Sequence, residues 1–92
     1  MKAIVVRKID ESTFEVTVAS RTPTTHKVTA DPAYAAQLTR GALPTETLIR
    51  RSFEFLLERE PNTSILRQFD LPVIGRYFPE YERTIRVMLQ TE

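Results

Sequence analysis

His26 is the only side chain in this sequence whose ordinary pKa lies near neutrality, and there is one histidine in the chain. General-base or nucleophilic chemistry would need a hydroxyl or carboxylate held within hydrogen-bond reach of its ring. Ser20, Glu15 and Asp31 are close in sequence, but no motif links them to it. Alternation over Thr25 to Thr29 puts His26 beside Val28 on one strand face, with Lys27 opposite, as on an edge strand. The expectation is a half-exposed histidine without a catalytic role. Glu58 and Glu60, or Glu80 and Glu82, have the residue types of an acid/base pair. At i,i+2 spacing, however, side chains on a helix point apart, which reads as solvated charge. There is no GxGxxG, GxxxxGK[ST] or HExxH motif. Gly41 and Gly75 are the only glycines, too few for a loop that cradles phosphate. Without cysteine there is no thiolate chemistry and no disulfide, and one histidine leaves no ligand set for a structural zinc site. The sequence therefore points to a non-enzyme that carries no cofactor.

Binding chemistry is better represented. The run Arg76 to Glu82, RYFPEYE, concentrates tyrosine and arginine, the side chains enriched at protein hot spots. Tyr77, Phe78 and Tyr81 also have the bulk to plug the core of a small domain, with hydroxyls reaching water. The candidate partner-binding residues are Phe55, Arg76, Tyr77, Phe78 and Tyr81, with the arginine on the rim. Ser64 to Phe78 has a helix–turn–helix rhythm presenting Arg76 and Tyr77, with Arg67 and Arg83 near. This is the alternative, a nucleic-acid-binding regulator using residues 64–83. Charge argues against it. The formal net charge is +1, with six basic and four acidic side chains in residues 1–43 and seven and eight in 44–92. Gly75 also weakens the second helix of the pair.

These residues must be positioned by a small number of elements. The organising one is residues 44–60, the central helix. At about 100° per residue, Leu48, Ile49, Phe53, Leu56 and Leu57 fall on one arc with Phe55 at its edge, opposite Arg50, Arg51, Glu54 and Glu58. The arc is wide enough to be covered on two sides, by a sheet and by a second layer of helix. Thr45 reads as its N-cap, and Pro61 as its stop. Arg50 and Glu54 are spaced to pair. Residues 1–30 read as a three-stranded antiparallel β-meander. Met1–Lys8 is apolar through Ala3–Val6, Thr13–Ala19 alternates cleanly, and Thr25–Thr29 is a short edge strand open to self-association. Residues 31–43 hold a short helix, capped by Asp31, opened by Pro32 and ended by a left-handed Gly41, and a loop. Residues 61–92 supply short helices as cover: one turn capped by Asn62 or Thr63 with Ile65, Leu66 and Phe69, one capped by Asp70 with Val73, Ile74, Tyr77 and Phe78, and one from Pro79 with Tyr81, Ile85, Met88 and Leu89 on one side. The fold class is α+β, in one domain spanning 1–92.

A chain of 92 residues buries about 60–65% of its unfolded surface, enough for one core. No run is long enough to cross a bilayer, and the apolar stretch of MKAIVVRKIDE is too short for a secretory signal, so the expected location is the cytoplasm. The runs THKVTADPAYAAQLTRG (25–41), IRRSFEFLLEREPNTSIL (49–66) and FDLPVIGRYFPEYE (69–82) resemble a group of small bacterial proteins with no established activity. The resemblance covers about residues 25–85. It implies a small bacterial cytoplasmic protein and carries no functional residue with it. The reading is of a protein–protein interaction module, with oligomeric state left open.

Overall fold

The computed structural model describes residues 3–91. The expected strand residues Met1 and Lys2 lie outside the described residues. The elements in order are β1 (Ala3–Lys8), β2 (Thr13–Ala19), β3 (Thr24–Thr29), α1 (Pro32–Thr39), α2 (Thr45–Leu57), a 3-10 turn (Asn62–Ser64), β4 (Gln68–Asp70), α3 (Val73–Tyr77) and α4 (Tyr81–Leu89). The α+β class and the meander are as expected. The sheet is not three-stranded: its order is β1-β2-β3-β4, and β4 runs parallel to β3. Lys27 N–H donates to the Arg67 carbonyl and Leu71 N–H to the Thr29 carbonyl, both at 2.8 Å. Thr25–Thr29 is therefore an interior strand. The sheet edges are β1 and β4, and at the first of these Arg50 Nη1 donates to the Ile4 carbonyl at 2.8 Å. The spacing of Ile65, Leu66 and Phe69 imitates a helical face, but the chain there is extended. Ile65 has φ −73° and ψ 136°, and Phe69 pairs in register with Val28.

Alternation builds the inner face of the sheet. Ile4, Phe14, Val16, Val18, Val28 and Phe69 are buried on it, and helix α2 lies against that side. On the outer face Arg7 and Glu15, directly opposite, form an ion pair at 3.0 Å. The wide apolar arc of α2 is used in two directions. Phe53 meets the sheet, with ring centroids 5.3 Å from His26 and 6.1 Å from Phe69. Phe55 meets the helical cover, 5.9 Å from Phe78 and 5.4 Å from Tyr81, both near edge-on. Burying Phe53 and Phe55 completely, each with about 25 cal/mol per Å² of apolar area removed from water, makes α2 the centre of the core.

The helix ends differ in detail from the sequence reading. Pro44 is the N-cap of α2 and Thr45 its first residue. The helix stops at Leu57, three residues before the position Pro61 forbids, and the Arg59 and Glu60 amides both fold back onto the Leu56 carbonyl at 2.9 Å. Arg51, not Arg50, pairs with Glu54, at 2.9 Å. Asp31 caps α1 as expected, accepting from Ala33 N–H at 2.8 Å with Pro32 next in the first turn. Its end uses two left-handed residues, Arg40 at φ 56° and Gly41 at φ 67°. Asp70 belongs to β4 rather than to a cap, Pro72 is the N-cap of α3, and α4 starts at Tyr81.

Candidate functional site

After α2 the chain turns through Glu58–Glu60, crosses the end of β3 in extended form, and returns as α3. This return leaves a concavity of about 200 Å³. Leu56, Ile65, Phe69 and Ile74 form its buried floor. Its lips are Leu66, 47% exposed, and Tyr77, 66% exposed, with the half-buried Val73 and Phe78 between floor and surface. Tyr77 is at the surface because α3 is a helix of only five residues. Ile74 and Phe78 are four apart and turn inward, which leaves Tyr77 at the lip.

Of the residues expected to bind a partner, Tyr77 and Phe78 line this groove. Arg76 is exposed on α3 and does not line it. Phe55 and Tyr81 have no exposed surface, so they are not contact residues. The Ser52 hydroxyl donates to the Leu48 carbonyl at 2.7 Å, so the Tyr81 hydroxyl donates to Ser52, also at 2.7 Å. Burial raises the Tyr81 phenol far above its ordinary pKa. Phe55 carries the Arg59 guanidinium 3.6 Å above its ring, and Arg59 is held further by the Phe55 carbonyl and by Glu80. These two aromatics hold up the groove from behind.

His26 is fully buried rather than half-exposed: the Phe53 ring of α2 lies 5.3 Å from it, and the chain leading into β4 meets its ring at Leu66. Its Nδ1 lies 2.8 Å from the Leu66 carbonyl, which only accepts, so Nδ1 carries the proton. Nε2 is then an acceptor for the Thr24 hydroxyl at 2.8 Å. Asn62 Nδ2 donates to that hydroxyl oxygen at 2.9 Å and to the Thr22 carbonyl at 2.8 Å, and Ser20 closes the cluster with a hydroxyl 3.1 Å from Asn62 Oδ1. Every polar atom is partnered and the ring is neutral. Burial, with Arg67 nearby, lowers its pKa below 6.5, although the bond to Leu66 works the other way. Neither Glu15 nor Asp31 reaches the ring. Its role is positional: it pins the backbone of Leu66, one lip of the groove.

Among the four expected glutamates, Glu60 stands apart. It lines the groove half-buried, and its carboxylate makes no hydrogen bond or ion pair with the described residues. Burial alone raises its carboxyl above the ordinary range. Glu80 is the contrast: hydrogen bonds, including that from Arg59, lower its pKa. No local pattern marks Glu60 as meeting apolar walls, because Ile65, Phe69 and Ile74 come from three separate segments.

A second concavity, of about 230 Å³, lies where α1 and α4 both end. Leu38, Leu43 and Leu89 floor it, with Arg40 and Arg86 at its rim. No group of three or more His, Cys, Asp and Glu among the described residues is placed to hold a metal ion, and none of their helices is long and apolar enough to cross a membrane. The helix–turn–helix expected at 64–83 does not form, since Gln68–Asp70 is a strand and α3 has five residues. No protein-family model, curated protein or solved structure matches the chain.

Proposed function

We propose that this chain is a protein-interaction domain that seats an apolar side chain of a partner in the groove between α2, β4 and α3. One observation carries the reading: a tyrosine and a leucine stand largely exposed on the two lips of an apolar concavity that is otherwise part of the core surface. Tyrosine at such a position supplies contact area at low entropic cost. The volume selects the class of occupant. At about 200 Å³ the groove falls below the roughly 300–1,000 Å³ of sites that enclose small-molecule ligands, and it matches one or two side chains of a macromolecule. On this reading the chain acts as one of the small bacterial cytoplasmic proteins that its sequence resembles, without catalysis of its own.

The test is capture from bacterial lysate by the wild type and by a Leu66→Ala, Tyr77→Ala double variant, at low and moderate salt. The expected result is a protein retained by the wild type at moderate salt and lost by the variant, whose melting temperature is unchanged. Equal capture by both would remove the groove from the interaction. Nucleic acid that is released by salt and depends on Arg67 and Arg76 would instead support the regulator reading.

A further inference from the structure

Resting on that reading, we infer that the segment seated in the groove is basic, carrying a lysine or arginine beside its apolar anchor to pair with Glu60. Three features set this carboxylate apart from every other in the described chain. It is partly desolvated by the apolar walls of the groove. It follows α2 by one turn, at the negative end of that helix, where a second negative charge is unfavourable. The described residues supply nothing to offset either effect. Arg59, one residue away, is committed to the Phe55 carbonyl, Glu58 and Glu80. Arg67 and Arg76 point to water without reaching Glu60. An acid kept where the fold gains nothing from it, at the mouth of an apolar groove, is complementary to a cation that arrives with an apolar body. Lysine and arginine fit both demands, since their stems lie along apolar surface while their heads seek charge. A charge-assisted contact in such a setting is stronger than one in open water.

The experiment titrates the 15N-labelled protein with two synthetic amphipathic peptides of identical leucine pattern. One has lysine at every polar position and the other glutamate. The expected result is movement of the Glu60, Leu66, Ile74 and Tyr77 amide signals, with the lysine peptide bound on the order of tenfold more tightly. Glu60→Gln is expected to shrink that ratio to about twofold while leucine-dependent binding persists. A ratio as large in Glu60→Gln as in the wild type overturns the inference. Equal binding of the two peptides by the wild type overturns it too and leaves the groove as an apolar site. No response of the groove signals to either peptide removes the docking reading itself. Thermal melts give an independent reading: Glu60→Gln is expected to melt no lower than the wild type. A lower melt would show that the carboxylate is sustained within the chain, and would overturn the inference by that route.

Discussion

The two concavities differ less in shape than in what surrounds them. Both have leucine, isoleucine or phenylalanine floors that are continuous with the core, and both lie beside helix ends. At the second, the carbonyl ends of α1 and α4 converge and two arginines, Arg40 and Arg86, sit among them. Cations there offset the helix dipoles, so their presence is explained by the fold alone. At the first, the carbonyl end of α2 is followed by Glu60, the opposite charge. The lesson is that a charge gains functional meaning when the local field opposes it. The arginine-rimmed hollow, though slightly larger, is the weaker candidate for binding.

This contrast can be broken or sharpened by substitutions. The largest effects belong to the shared core and should not distinguish the grooves. Phe55→Ala, behind one of them, is expected to cost about 3–5 kcal/mol, and Leu89→Ala, in the floor of the other, about 2–4 kcal/mol, both by chemical denaturation. Tyr77→Ala is expected to stay within about 0.5 kcal/mol, as an exposed side chain should. A large loss there would mean the tyrosine belongs to the core.

Intermediate effects come from the cluster behind the Leu66 lip. Asn62→Ala removes the donor to the buried Thr24 hydroxyl oxygen and one of two donors to the Thr22 carbonyl, which keeps the Ser20 hydroxyl, and is expected to cost about 1–3 kcal/mol. His26 adds a pH dependence whose sign is fixed. Its pKa in the folded chain lies below 6.5, so the unfolded chain takes up the proton first. Its contribution is present above about pH 6.5 and is lost as the pH falls below that value. Melting curves at pH 7.5 and 5.5 should separate in the wild type and converge in His26→Leu. Equal separation in both would place the titrating group elsewhere.

The smallest effects sharpen the comparison most. Arg40→Gln and Arg86→Gln are each expected to lower stability by about 0.3–1 kcal/mol through the helix ends. Glu60→Gln should show no such loss. If all three behaved alike, the distinction between a charge that serves the fold and one held against it would fail.

Much of the architecture was legible because it rests on local rules. Phe14, Val16 and Val18 alternate over one strand, Asp31-Pro32 opens α1, and the arc from Leu48 to Leu57 is wide enough to require two covering layers. The site was only partly legible. Of the candidate binding residues Tyr77 and Phe78 line the groove, but by type and neighbourhood Phe55 and Tyr81 are indistinguishable from them until the helical layer is in place. The fourth strand was hidden because Gln68–Asp70 is three residues long with one inward side chain, too short for alternation to register. His26 reads as half-exposed for a related reason, since the Phe53 ring and the Leu66 carbonyl that meet it are distant in sequence. Residues that meet only through parallel pairing leave no periodic trace in a single chain.

That parallel pairing has a consequence for the order of assembly. The meander closes through short turns, whereas β4 reaches β3 only after residues 30–67 have been traversed. Loop-closure entropy makes such a contact late and slow relative to local ones. The wall that carries Ile65, Leu66 and Phe69 is therefore expected to form after the meander and to be able to detach while β1, β2 and β3 stay paired. The Lys27 and Leu71 amides, whose acceptors lie across this junction, would exchange with solvent through that partial opening rather than through global unfolding. An opening there would widen the groove at the expense of the Ile65 and Phe69 core contacts while leaving the meander paired.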